Sequence, residues 1–219
     1  MRVCLASTSP ARLMLLRQAG IEPLIISPEV DEDAVAADAE AEHGSALAPD
    51  ELVLLLARAK AADVAGRLPV EHPRFDGIVI GGDSMFALDG HVYGKPHTPE
   101  VARARWQQMR GATGILHSGH SVFRVSPDAA PAEAAAVAEA AVSFADDVTE
   151  AELDAYIASG EPLHVAGAFT VDSLGGAFIT RVEGDPSTVV GMSLSTVRRL
   201  AADLGVTWTD LWRTATQIS

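Results

Sequence analysis

VCLASTSPAR, residues 3–12, reads as a strand, a tight polar turn and a helix start in direct succession. Val3, Cys4 and Leu5 form a short apolar run that suits a buried strand and stops at small polar residues. Ser9 followed by Pro10 predicts a helix N-terminus. The serine hydroxyl can cap free backbone N–H groups, and proline at the first helical position gives up no hydrogen bond. Leu13, Leu15, Leu16 and Ala19 carry the helix to Gly20, a C-terminal stop. Unpaired amides and the positive end of a helix dipole then face the turn, with the fixed charge of Arg12 one turn in, which together make an anion site. The same residues also suit an ordinary β–α corner with a surface arginine, and the turn by itself leaves both readings open.

Outward from that turn, composition narrows the class. A chain of 219 residues, 48% of them hydrophobic, can bury a full core in one large domain or in two lobes sharing a sheet. The single cysteine, Cys4, lies inside the first apolar run; it has no disulfide partner, reads as a small buried hydrophobe and suits a reducing cytoplasm. The N-terminal residues carry one arginine and no long apolar segment, which predicts neither a signal peptide nor a membrane span. A formal net charge of −14 argues against a general nucleic-acid surface, which needs a basic stripe. It still admits an anionic small substrate where lysines, an arginine and a metal ion gather locally.

Leu24, Ile25 and Ile26 predict a second strand. The acidic, alanine-rich PEVDEDAVAADAEAEHGSALAP that follows has no strong apolar stripe and reads as an exposed excursion. Within it, Asp31, Glu32 and Asp33 suit either a solvated charge run or oxygen ligands for a divalent cation. A helix is predicted from about Asp50 to Gly66 on the spacing of Leu52, Leu55, Leu56, Ala59 and Ala62, with Lys60 on its solvated face. Ile78, Val79 and Ile80 form the continuous apolar run of a central strand, and Gly81 and Gly82 allow close approach of a backbone or ligand. Asp83 then stands at the strand's end, where α/β sheets place ligands. Asp89-Gly90 predicts a hairpin turn that returns Gly94-Lys95-Pro96 towards Asp83, and a lysine fixed between glycine and proline makes a good phosphate clamp. Asp83 and Lys95 equally suit a surface pair flanking a hairpin.

The second half reads as scaffold. Thr98, Pro99 and Glu100 start a helix that runs to Gly111. Residues 120–125 and 136–144 alternate as two antiparallel strands around the loop SPDAAPAEA. Thr149 and Glu152 form a capping box for a helix through Ile157 that stops at Gly160. VAGAFTVDS and GGAFITRVEGD predict two strand-like segments, and a last amphipathic helix covers 194–204. In the tail, Trp208 and Trp212 read as packing or subunit-contact residues. His117 and His120 are too lone a pair for a zinc site, and neither a Walker lysine loop nor a G-x-S-x-G elbow is present.

LASTSPAR at the start, VDE at 30–32, ARAKA at 57–61, GGDS at 81–84, GKP at 94–96, AGAF at 166–169 and EGDPSTVVGMSL at 183–194 form an ordered set. In order and approximate spacing this set resembles the Maf family of nucleotide pyrophosphatases, over nearly the whole chain. The resemblance implies a single domain over 1–219 with an elongated α/β fold. It further implies a mixed central sheet flanked by helices and two lobes around a nucleotide cleft, similar to the inosine triphosphate pyrophosphatases. The implied activity is hydrolysis of a nucleoside triphosphate to the monophosphate and pyrophosphate with a divalent metal, Mg²⁺ or Mn²⁺, by a homodimer. Residue by residue, Asp83 matches the family's catalytic acid, Glu32 its metal-associated glutamate, and Lys60 and Lys95 its two lysines. Ser7 and Arg12, with Ser9 beside them, match its phosphate-binding turn. Glu32 and Asp83 would hold the metal, and Asp83 would combine the roles of base and ligand, since an ordinary aspartate is a weak base unless the water is acidified.

Positions that the family uses to distinguish bases depart from its best-known subgroups. Thymidine- and uridine-selective members resemble S-P-R-R, G-A-D-T and I-Q-G, where this chain has Ser9-Pro10-Ala11-Arg12, Gly81-Gly82-Asp83-Ser84 and Val171-Asp172-Ser173. Members acting on 7-methylguanosine triphosphate have tryptophan where Ala11 stands and an acid near Asp172. An ionised Asp172 only accepts hydrogen bonds, which favours a base edge offering donors, and Ala11 leaves room. The expectation is therefore a broader or purine-tolerant pocket. Two other readings stay open. LASTSPAR faintly resembles the triphosphate loop of sugar nucleotidyltransferases, and the family's association with septum formation allows a nucleotide-dependent regulator of cell division.

Overall fold

β1 (Arg2–Ala6) is buried from Val3 onward and leads into α1 (Pro10–Gln18) as the local chemistry dictates. Ser9 Oγ accepts from the Arg12 N–H at 3.4 Å, Pro10 takes the first helical position, and Gly20 ends the helix in the left-handed region. The computed structural model describes residues 1–212. β2 (Leu24–Ile25) pairs parallel with β1.

The acidic excursion is a helix, α2 (Glu32–His43), with no buried residue. The expectation of exposure holds, and the excursion is helical although it lacks an apolar stripe. Asp31 caps the helix, Glu32 and Asp33 complement its dipole, and Gly44 closes it in the left-handed region. Capping and alanine propensity thus suffice where an apolar stripe is missing. α3 (Pro49–Glu71) runs past Gly66, which lies on an exposed face. Its buried stripe is Val53, Leu56, Ala57, Lys60, Ala61, Val64, Ala65 and Leu68, rotated from the predicted face, and Lys60 belongs to it.

β3 (Gly77–Leu88) runs parallel to β1, with Ala6 opposite Gly81. It does not end at Asp83 but continues to the Asp89-Gly90 turn and returns as β4 (His91–Tyr93). α4 (Pro99–Met109) follows, capped by Thr98. β5 (Thr113–Ser126) and β6 (Ala129–Phe144) are longer than predicted, and only Pro127 and Asp128 remain as a turn of the supposed loop. Alanine, proline and glutamate are poor strand formers, and pairing in the sheet overrides them here. α5 (Glu150–Ala158) has the predicted capping box. Of the two strand-like segments after it, only β7 (Ile179–Gly184) is a strand. VAGAFTVDS instead forms a short 3₁₀ turn over Ala166–Ala168, with Gly167 and Ala168 at positive φ. α6 (Pro186–Val190) and α7 (Leu194–Asp203) complete the described α-helices, and a 3₁₀ turn over Trp208–Leu211 follows. The strand order is β2-β1-β3-β5-β6-β7, with β4 on β3, a mixed sheet flanked by helices.

The chain divides into two compact units. The first holds Met1–Asp83, Ser118–Ala138 and the residues from Gly191, with a core that includes Cys4, Val64, Leu68, Phe75 and Val79. Burial pushes the Cys4 thiol up to about 12, so it behaves as the inert hydrophobe expected. Within this unit, Gly81 and Gly119 admit α3. A Cβ on Gly81 would meet the Ala57 carbonyl oxygen at 2.6 Å, and one on Gly119 would meet that of Val53 at 2.1 Å. Trp212 lies over Gly20, where an added Cβ would stand 3.6 Å from its Cδ1, with half its surface exposed, and Trp208 is partly buried.

The second unit holds Ser84–His117 and Glu139–Val190. Aromatic rings build its core edge to face, with centroids 5.5 Å apart for Trp106–Phe144, 4.9 Å for Phe144–Phe169 and 5.1 Å for Phe86–Phe169. The Trp106 indole N–H donates to the Ala168 carbonyl at 2.8 Å and pins the 3₁₀ turn. Glu161 gathers the segment that follows. Its carboxylate accepts from Tyr156 Oη at 3.1 Å, Thr170 Oγ1 at 2.5 Å, and the N–H groups of Leu174 and Gly175 at 3.2 and 3.0 Å. Desolvation raises its pKa, but these bonds and one from Ser173 outweigh it and hold the group at about 2.

Substitutions on α3 and against it should have opposite signs. Gly119→Val should destabilise the fold by on the order of 3 kcal/mol, because the added atoms meet backbone. Gly66→Ala, which meets nothing within 4 Å, should stabilise by roughly 0.5–1 kcal/mol in urea unfolding. Glu161→Gln should cost about 1–3 kcal/mol at neutral pH. The depressed carboxylate pKa means its contribution is full above about 4.5 and vanishes as pH falls towards about 2, so the gap between wild type and variant should close over that window.

Candidate active site

The register of β1 against β3 sets the first unit's site. With Ala6 opposite Gly81, β1 stops where β3 continues, so the Ser7–Arg12 turn opens alongside Gly82 and Asp83. Asp83 therefore lies beyond the carboxyl end of β1 although it is in the middle of β3. Arg12 packs against Gly82, whose added Cβ would stand 3.3 Å from Arg12 Nε.

Arg12 faces inward. Its Nε donates to the Gly191 carbonyl at 2.8 Å and its Nη1 to Ser7 Oγ at 3.2 Å. Ser7 Oγ also accepts from the Ser9 N–H at 3.1 Å. Burial lowers the pKa of the guanidinium, and the charges of Asp83 and Glu32 oppose that only in part. Arginine stays protonated under both influences and places a fixed positive charge beside the turn. Ala11 is partly buried in the same turn of helix.

Lys60 joins the two predicted carboxylates. Its Nζ lies 2.7 Å from Asp83 Oδ1 and 2.8 Å from Glu32 Oε2, with only 8% of its side chain exposed. The close seat of α3 on Gly81 puts it there, and a lysine this buried must be paired. Of the three acids at 31–33, Asp31 caps α2 by accepting from Ala34 N–H at 3.0 Å and Glu32 takes Lys60, which separates their roles. Among the described residues no three His, Cys, Asp or Glu side chains group as a metal cage. Two convergent carboxylates are nevertheless the complement that Mg²⁺ takes from a protein when substrate phosphates and water supply its other ligands. Glu32 and Asp83 thus fit Mg²⁺ or Mn²⁺.

Ser118, fully buried, donates towards the Asp83 and Gly191 carbonyls, each at 3.3 Å. His120 Nε2 accepts from the Ser193 N–H at 2.9 Å, which ties this fully buried histidine to the start of α7. These residues fix the backbone around Arg12 and Asp83, and residue-type reasoning missed them because serine and glycine carry no spacing signal. One signal in the sequence was available for the lysines. Of 16 basic residues only Lys60 and Lys95 are lysine, and both lie in the motifs.

Lys95, Ser84 and Asp172 lie in the second unit. Lys95 is exposed and has no ion-pair partner among the described residues. Ser84 is partly buried in β3, and Asp172 is exposed on the segment that Glu161 gathers.

A family model described as Maf-like protein matches residues 2–204. A relative from Leifsonia xyli subsp. xyli, named nucleoside triphosphate pyrophosphatase, is 62% identical over 98% of each chain. One of the same name from Nocardia farcinica is 54% identical over 95% of each. A solved nucleoside-triphosphatase, a dITP/XTP pyrophosphatase from Mycobacterium abscessus, aligns with 93% of this chain and 94% of its own at 13% identity and a TM-score of 0.34, too distant to carry an argument. With the motifs in order, a family match through residue 204 and end-to-end relatives identical at more than half their positions, the chain belongs to the Maf family.

Proposed function

We propose that this chain is a nucleoside triphosphate pyrophosphatase, releasing pyrophosphate and a nucleoside monophosphate by attack of water on the α-phosphorus. The observation that carries the reading is Lys60 Nζ bonded at once to Asp83 and Glu32, at 2.7 and 2.8 Å, in the same unit as the Ser7–Arg12 turn. The relatives' name supports the same activity.

Each group then has a task. The N-terminus of α1, Ser7 Oγ and the Arg12 guanidinium bind phosphate oxygens. Lys60 holds both carboxylates in place and offsets charge on the triphosphate. Lys95 is the further cation of the machinery, and a free ammonium on a short tether suits a mobile polyphosphate. Asp83 accepts the proton of the attacking water as the new P–O bond forms and the bond from the α-phosphorus to the bridging oxygen breaks. The electron pair of that bond leaves with pyrophosphate, whose charge the cations stabilise. Mg²⁺ or Mn²⁺ held by Glu32 and Asp83 supplies charge neutralisation and a more acidic water when bound. Ala11, Ser84 and Asp172 are the residues that set base preference in this reading, with purines tolerated. The working form in this reading is a cytoplasmic homodimer without nucleic acid or membrane. Among the described residues no helix is long and apolar enough to cross a membrane.

Pyrophosphate release from a panel of canonical and modified nucleoside triphosphates, with Mg²⁺, Mn²⁺ or EDTA, tests this. Release should require the metal, and Asp83→Asn should fold while losing about 10²–10⁴-fold in turnover. Retained turnover in that variant contradicts the mechanism, and a strict preference for thymidine and uridine triphosphates contradicts the pocket. Nucleotide binding with no release from any substrate points to the regulatory reading instead.

A further inference from the structure

Arg105 is an arginine without a carboxylate. In a chain with 30 acidic residues it has no ion-pair partner among the described residues, although it is partly buried. Burial lowers its pKa, so leaving it unpaired carries a cost. What it does touch is specific. Its guanidinium lies over the Tyr93 ring, 5.5 Å from the centroid, and its Nη1 donates to the Gly94 carbonyl. The Tyr93 hydroxyl donates to Gln108 Oε1 at 2.5 Å, one helical turn along α4, so the ring under the guanidinium is itself held.

These contacts fix the residue before Lys95. The Gly94 carbonyl also accepts from the Gly167 N–H at 3.4 Å. On the other side of Lys95, Pro96 is buried, and His97 sits in the left-handed region with its N–H donating to the Leu163 carbonyl at 3.0 Å. Lys95 is thus a free cation on a backbone clamped at both ends. A planar donor fork stacked on a ring can hold a carbonyl in a way that a flexible ammonium cannot.

We infer that Arg105 is a positioning residue for Lys95, holding the Gly94 carbonyl so that the Lys95 ammonium is presented to the phosphate groups of the substrate. The inference rests on the proposed role of Lys95 in the pyrophosphatase reading and adds a residue that the family motifs do not include. A carboxylate near Arg105 would cancel positive potential close to Lys95, and an arginine satisfied by a carbonyl and an aromatic face avoids that.

A double-mutant cycle tests it, read both as the Kd of an α,β-methylene nucleoside triphosphate and as kcat/KM for pyrophosphate release. Arg105→Gln should weaken both by about tenfold in the wild-type background and by nothing further in Lys95→Met. Arg105→Lys should not restore the wild-type values, and it serves as the test variant should the glutamine variant fail to fold. An equal loss in both backgrounds would overturn the inference, because a structural role does not depend on Lys95. Lys95→Met with unchanged Kd and kcat/KM would overturn it too. A wild type that binds the analogue but releases no pyrophosphate would refute the hydrolase reading, and the coupling measured in Kd would still decide the inference.

Discussion

The ammonium of Lys60 is the constraint on which the first unit depends. A lysine cannot be buried unless opposite charges meet it, and here Asp83 and Glu32 do so from two different elements, β3 and the first turn of α2. The arrangement is possible only because α3 lies against the sheet at two residues without side chains, Gly81 and Gly119. Steric permission, burial and charge pairing are therefore successive steps of one cause. Removing one acid leaves Lys60 paired with the other, so only the loss of both would bury an uncompensated charge.

The second unit reaches a defined geometry by other means. Among the described residues it has no comparable buried ion pair, and its core is a set of edge-to-face rings around Trp106, Phe144 and Phe169. Polar groups at the edge of that core do the fine positioning. Glu161 collects three donors from the segment that carries Asp172 and a fourth from Tyr156 of α5, and Arg105 donates to the carbonyl that precedes Lys95. In both cases a fixed polar group orders a loop that carries an exposed residue.

Local signals in the sequence were read correctly. Ser9 and Pro10 start α1, Asp89-Gly90 turns the hairpin, and Thr149 with Glu152 caps α5, because each depends on chemistry within a few residues. Readings that depended on distant partners went astray. The weight given to leucine placed the buried face of α3 on Leu52, Leu55 and Ala59, whereas the alanines at 57, 61 and 65 fit closer to the sheet. β6 was hidden in an alanine-rich segment that only its neighbours make a strand, and the turn at 166–168 needed the Trp106 indole to hold it. The site shows the same division. Glu32, Lys60 and Asp83 were recognisable one by one from their motifs. That they converge follows from the register of Ala6 with Gly81 and the seat of α3, neither of which a single sequence displays.

In the proposed reaction water attacks the α-phosphorus under the control of the Lys60, Glu32 and Asp83 group. Hydrolysis in ¹⁸O-labelled water, followed by mass spectrometry of both products, addresses it directly. The account predicts one labelled oxygen in the nucleoside monophosphate and none in pyrophosphate. Label in pyrophosphate with an unlabelled monophosphate would place the attack on the β-phosphorus and contradict it.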